Sequence, residues 1–257
     1  MQLYLVCQPK VSRYRRCFAF SGSDQRAVIP QAFTLIELLV VIGVITLIAA
    51  MIFPTIKAVT RVKFLARARA EMAQVESCID SYKASLGHYP PDNRNPNTQE
   101  LVPGLNPLYY ELAGTILTNN TFITKDNSSQ PLSPTMVSAF FGIGVSGFVN
   151  TDRGNSDDSR TALQLLTGFK HAQIAETTMT NGELKTSVTG RILVCTVPGP
   201  DPNNPPLNFG SPPLNPWRYN SSSPTNNPST YDLWTDIQVG GKVLRVCNWS
   251  SQPIVVQ

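Results

Sequence analysis

From Phe33 to Phe53 the chain reads FTLIELLVVIGVITLIAAMIF, twenty-one residues with a single charge, Glu37. At about 1.5 Å of rise per residue, a helix of this length reaches roughly the 30 Å of a bilayer's hydrocarbon core. A cleaved secretory signal has a shorter apolar region, about 7–15 residues, closed by a small-residue cut site. The flanks are unequal. Residues 1–32 hold five basic side chains (Lys10, Arg13, Arg15, Arg16, Arg26) against one acid, Asp24. The positive-inside rule therefore keeps the N-terminus cytoplasmic and exports the rest. Lys57, Arg61, Lys63, Arg67 and Arg69 follow the run and oppose this orientation, but long translocated domains override such charges.

The overall charge of +4 belongs to that N-terminal cluster. Beyond residue 32 the chain keeps sixteen of its 21 basic and sixteen of its 17 acidic residues, so it is neutral there. Nothing outside the cluster has the basic footprint of a nucleic-acid binder, and no nucleic-acid partner is expected. Only 15% of residues are charged and 21 are proline, which fits a loop-rich exported domain.

Glu37 is the anomaly in the apolar run. A carboxylate inside such a segment is costly unless it reaches the interface or finds a partner. Two readings follow: the side chain snorkels to the interface, or it pairs with a cation supplied by another subunit.

The stretch Ala32-Phe33-Thr34-Leu35-Ile36-Glu37-Leu38-Leu39-Val40-Val41-Ile42 resembles the N-terminal signature of type IV pilins and type II secretion pseudopilins. The resemblance implies cleavage by a prepilin peptidase between Ala32 and Phe33, and N-methylation of the new Phe33 amine. It makes Glu37 the assembly glutamate, which offsets that amine in a neighbouring subunit. Pro54 stands where the family often has a helix-kinking proline. Two departures are visible: Ala32 replaces the usual glycine, and the 32-residue leader is long. Physical chemistry agrees with such a role. Gly43, Ala49 and Ala50 permit close helix packing, and Pro54 lacks a backbone donor where the helix would leave lipid.

Apolar residues continue at helical spacing through Ile56, Val59, Val62, Ala66, Met72, Val75, Ile79, Tyr82 and Leu86. Gly87 supplies a C-cap and Pro90-Pro91 stops the helix, which predicts one helix of about 54 residues. The segment Tyr82 to Pro90, with its Gly87-His88-Tyr89-Pro90 turn, resembles the major (G-type) pseudopilin of type II secretion. So do Asn215-Pro216-Trp217-Arg218-Tyr219, Tyr231-Asp232-Leu233-Trp234, Gly240-Gly241 and Asn248-Trp249, in that order. The resemblance covers roughly 33–91 and 212–250. It implies an α+β, pilin-like fold: a long N-terminal helix, membrane-spanning in its first half, packed on a small antiparallel sheet. Residues 1–32 are then the cleaved leader, 33–53 the transmembrane and assembly helix, and 54–89 its exported continuation. Residues 90–257 form a periplasmic globular domain with a loop-rich, irregular insertion at about 92–211.

Within that domain, residues 92–107 and 198–229 read as loops. Short helices are predicted over Pro107–Leu117 and Ala162–Glu176, the latter with Ala162, Leu165, Leu166, Phe169 and Ile174 as its apolar positions. Arg191–Val197 reads as a strand, and Tyr231–Val239 with Lys242–Trp249 as a hairpin through Gly240-Gly241.

Catalytic patterns are absent: there is no Gly-x-Ser-x-Gly, Walker loop, Cys-x-x-Cys or His-Glu-x-x-His. His88 and His171, the two histidines, read as ordinary surface residues, and Asp152, Asp157 and Asp158 as a solvated turn. No cofactor is required. The family resemblance implies a calcium ion in a C-terminal loop, and the nearest acids are Asp232 and Asp236. Cys7 and Cys17 leave with the leader. Cys195 and Cys247 lie on predicted strands, either as a disulfide or as two buried thiols; Cys78 remains over.

The chain is thus expected to be a non-enzymatic subunit of a type II secretion pseudopilus at the bacterial inner membrane, single-pass, with a periplasmic C-terminal domain. Its partners would be a prepilin peptidase, other pseudopilin subunits, the inner-membrane secretion platform and membrane lipid. The alternatives are a type IV pilin or DNA-uptake fibre subunit, and a signal-anchored periplasmic binding protein or enzyme.

Overall fold

A computed structural model describes residues 33–154, 161–181, 186–200 and 214–256. The chain divides into two units, one ending at Ala49 and one running from Ala50 to Gln257. Helix α1, Leu35–Leu86, is assigned without a break through Pro54. It ends where the sequence places its stop. Gly87 takes φ +84°, open to glycine without strain, and its N–H donates to the Lys83 carbonyl at 2.8 Å.

Among the described residues no helix is long and apolar enough to cross a membrane. This overturns the membrane-spanning half of the expected fold.

In the larger unit, Ala68, Val75, Cys78, Ile79 and Tyr82 of α1 are buried; Val75 to Tyr82 recur at steps of three and four and Ala68 lies two turns before Val75, as one helix face in a core requires. The remaining elements are α2 (Leu108–Ala113), β1 (Thr115–Thr118), β2 (Thr121–Thr124), α3 (Pro134–Phe141) and β3 (Thr151–Asp152). A 3₁₀ turn at His171–Gln173 leads into β4 (Ile174–Asn181) and β5 (Thr186–Leu193). The last strands are β6 (Arg218–Asn220), β7 (Asp232–Val239), β8 (Lys242–Cys247) and β9 (Ser250–Val255).

These strands form three sheets, not one small antiparallel sheet. Their orders are β2-β1-β3, β4-β5 and β6-β7-β8-β9, and β1 runs parallel to β3. An isolated bridge, Val194 to Pro216, joins the end of β5 to the approach to β6. The expected irregular insertion is therefore largely ordered. Its α2 is buried at every residue, and its aromatics pack tightly, with Tyr110 stacked on Phe148 at 4.7 Å and Phe140 edge-on to Phe141 at 4.7 Å.

Three local expectations change. Pro107–Leu117 holds α2 but then turns into β1, and the strand expected at 191–197 begins at Thr186 and ends at Leu193. The helix expected over 162–176 is an irregular segment, then the 3₁₀ turn, then β4. The β7–β8 hairpin forms as read, with Val239 paired to Lys242 and positive φ at Gly240 and Gly241 (+61° and +79°).

Candidate functional site

The apolar N-terminal segment of α1 is the candidate site. Thr34 caps the helix and Glu37 stands three residues on. The Thr34 N–H and Oγ1 both donate to Glu37 Oε2, at 2.9 and 2.7 Å, while the Glu37 N–H donates back to Thr34 Oγ1 at 3.3 Å. This is a capping box, in which two otherwise orphaned helix donors are satisfied reciprocally. Its Thr-x-x-Glu signature stands in the sequence at Thr34-Leu35-Ile36-Glu37. The box fixes the carboxylate toward the Phe33 end of the helix. Both bonds fall on Oε2, and among the described residues no hydrogen bond reaches Oε1.

Around this carboxylate the surface is apolar. Phe33, Leu35, Ile36, Leu38, Leu39, Val40, Val41, Ile42, Val44, Ile45, Leu47 and Ile48 are all exposed, from 45% at Val41 to 82% at Leu35. They fill all but four of the positions from 33 to 48, so the exposure runs round the helix and is not confined to a stripe. Phe33, Ile36, Glu37, Val40 and Val41 line one shallow concavity at helical spacing. A soluble monomer rarely leaves a contiguous apolar surface of this kind uncovered. Gly43 has nothing within 4 Å of where a Cβ would stand, so the helix offers a flat spot for close approach.

The other expected site residues are placed as follows. Ala32, Asp157, Asp158, Cys7 and Cys17 lie outside the described residues. Pro54 lies within α1 and does not interrupt it. Asp232 is buried and spends both oxygens on loop donors: Oδ2 accepts from the Thr225 and Asn226 N–H groups, at 2.9 and 3.0 Å, and from Asn226 Nδ2, and Oδ1 from the Asn227 N–H at 2.8 Å. Asp236 is gripped from two sides by Arg245, with Nε to Oδ1 at 2.8 Å and Nη2 to Oδ2 at 3.1 Å. Both carboxylates face donors or cations and do not converge as calcium ligands would. Among the described residues no group of three metal-ligating side chains comes together.

The disulfide reading of Cys195 and Cys247 is corrected: both are free and buried, as is Cys78. Cys195 follows the end of β5 and feels the carboxylate of Glu71 on α1, whereas Cys247 is paired across the strands with Trp234. Burial pushes the Cys195 thiol up to about 12 and raises those of Cys78 and Cys247. The imidazole of His88 is exposed and donates from Nδ1 to the Tyr89 carbonyl, and His171 is exposed at the start of the 3₁₀ turn. Asp152, in β3, accepts from the Gly154 N–H.

Sequence reasoning missed a buried acid. Glu111 of α2 is wholly buried; Oε2 accepts from Tyr82 Oη at 2.9 Å and the Asn150 N–H at 3.0 Å, and Oε1 from the Val149 N–H at 2.8 Å. It ties α1, α2 and the loop before β3 together, with burial raising its pKa. No sequence pattern marks it, because its partners lie 29–39 residues away. Searches against protein-family models, curated proteins and solved structures find no match to this chain.

Proposed function

We propose that the chain is a structural subunit of a type II secretion pseudopilus, working by polymerisation and not by catalysis. In this reading a prepilin peptidase cuts between Ala32 and Phe33, Phe33 is N-methylated, and the apolar segment that follows rests in the lipid of the bacterial inner membrane with the larger unit on the periplasmic side. Assembly with other pseudopilin subunits on the secretion platform then exchanges lipid for neighbouring helices. Lipid tails and leucine-like side chains are equally apolar, so that exchange is near balance and can be reversed.

The observation that carries the reading is the uncovered apolar surface from Phe33 to Ile48 around a single, oriented carboxylate. Burying each such side chain is worth about 1.5–3 kcal/mol, so water is not where this surface resides. Glu37 supplies the specific element: its capping box turns the carboxylate toward the helix start, where a neighbour's Phe33 amine would be its counter-ion. The test is the yield of sheared filaments from cells that carry the secretion platform. Glu37→Ala should be inserted and cut as the parent is, yet give at most about a tenth of the filament, the order expected for loss of one charge-assisted pair. Parental filament yield from that variant would count against the role.

A further inference from the structure

On the sheet face opposite the buried Leu233, Thr235 and Ile237, a group of charged and aromatic side chains is out of balance. Arg218 of β6 stands directly across from Trp234 of β7, and Asp236 stands across from Arg245 of β8. Strand alternation puts all four on one face. Arg245 takes Asp236 with a two-point grip. Arg218 approaches the same carboxylate only to 3.9 Å, beyond hydrogen-bonding distance. Its Nη1 is buried and has no hydrogen-bond partner. Two guanidinium groups thus share one carboxylate, and among the described residues one positive charge is uncompensated.

The setting makes that excess costly. Arg218 exposes 27% of its side chain, Arg245 32% and Asp236 10%. Burial lowers the Arg218 guanidinium below its ordinary value, Asp236 offsets this in part, and Arg245 adds to it. Native structures rarely leave a partly desolvated charge and a buried donor unpaired without a use for them. The charge also has an apolar neighbour: Trp234 meets Trp249 edge-on at 5.7 Å, and Arg245 lies over the Trp234 ring at 5.8 Å.

We propose that Arg218, with Arg245 and the Trp234–Trp249 pair, binds a peptide carboxylate that carries an apolar side chain beside it. The carboxylate supplies the missing negative charge and accepts from the Arg218 fork, whose planar donors match it, and the indoles take the apolar group. Chain-terminal and side-chain carboxylates share this chemistry. The proposal does not rest on the pseudopilus reading, because every residue in it lies in the larger unit.

The test is tryptophan fluorescence of the full chain in a non-ionic detergent, titrated with N-acetyl-phenylalanine, with N-acetyl-phenylalanyl-glutamic acid α-amide (whose one free carboxylate is the side chain's), and with N-acetyl-phenylalanine amide. A saturable change is expected with at least one of the two acids, and the stronger of them names the source of the carboxylate. The amide should bind about tenfold more weakly than that acid, the worth of one charge-assisted pair. R218M, which keeps the aliphatic stem, should lose the preference for acid over amide. The proposal is overturned if neither acid gives a saturable change, if the amide binds as well as the better acid, or if R218M keeps the preference. The acid-against-amide comparison on the parent chain stands even if the variant fails to fold.

Discussion

Glu111 and the three thiols are where single side chains decide how the larger unit behaves. The folded pKa of Glu111 lies above its unfolded value because burial disfavours the charged form. Its contribution to stability is therefore full below the unfolded value, about 4.3, and is lost as pH rises through the folded one. Glu111→Gln has no such titration. The melting temperature of the parent, relative to that variant, should fall as pH is raised from about 4 to 8; a constant difference would show that Glu111 is not strained toward its neutral form. The thiols make a separate prediction. Burial keeps Cys78, Cys195 and Cys247 protonated and covered, so the processed chain should show no free thiol to a colorimetric reagent near pH 8 until denaturant is added, and then three. A single thiol after denaturation would restore the disulfide. At this scale the sequence was only partly legible. Glu37 declared itself as a lone charge in an apolar run, and Asp232 and Asp236 sat where acids were expected. Arg245 follows for Asp236 from the register of the β7–β8 hairpin, whereas the three loop N–H groups that Asp232 faces come from a segment that no sequence pattern links to it.

Elements were legible where the backbone is governed by its own neighbours. Helix α1 follows from a sustained 3.6-residue period and a glycine stop, and the β7–β8 hairpin from Gly240-Gly241. Residues 162–176 were not legible, although their apolar spacing is helical. There the Leu163 N–H donates to Asn150 Oδ1, and those of Leu165 and Leu166 to the Leu112 carbonyl, so tertiary partners take donors a helix would need for itself. Gly168, at φ +75°, then turns the chain toward β4. The loop after α3 is fixed in a similar way. A Cβ at Gly144 would stand 2.1 Å from the Arg94 carbonyl oxygen, a backbone atom that cannot step aside alone. Gly144→Ala should therefore destabilise the larger unit by about 1–3 kcal/mol, a fall of roughly 2–12 °C in melting temperature for a unit of this size. An unchanged midpoint would show that the loop is loosely held.

For the molecule as a whole, the sequence announced an α+β chain with one long helix, and the structure adds a β content it did not announce. Nine strands in three sheets, among the described residues, replace the single small sheet: β1, β2 and β3 have only two to four residues each, and β1 pairs with β3 across more than thirty residues of chain. The two units also differ in what they need. The larger one closes its own core around α1, with Val75, Ile79, Tyr82, Leu108, Leu112, Tyr219, Leu233 and Ile237 at most 1% exposed. The segment from Phe33 to Ile48 covers none of its apolar side chains, and that asymmetry is what makes it an assembly element in the proposed reading. If so, the chain must be cut immediately before Phe33 to free the amine that Glu37 awaits. The direct measurement is the intact mass of the chain after co-expression with a prepilin peptidase. The account expects the mass of residues 33–257 with one added N-methyl group; an uncut chain, or one cut away from Phe33, would contradict it.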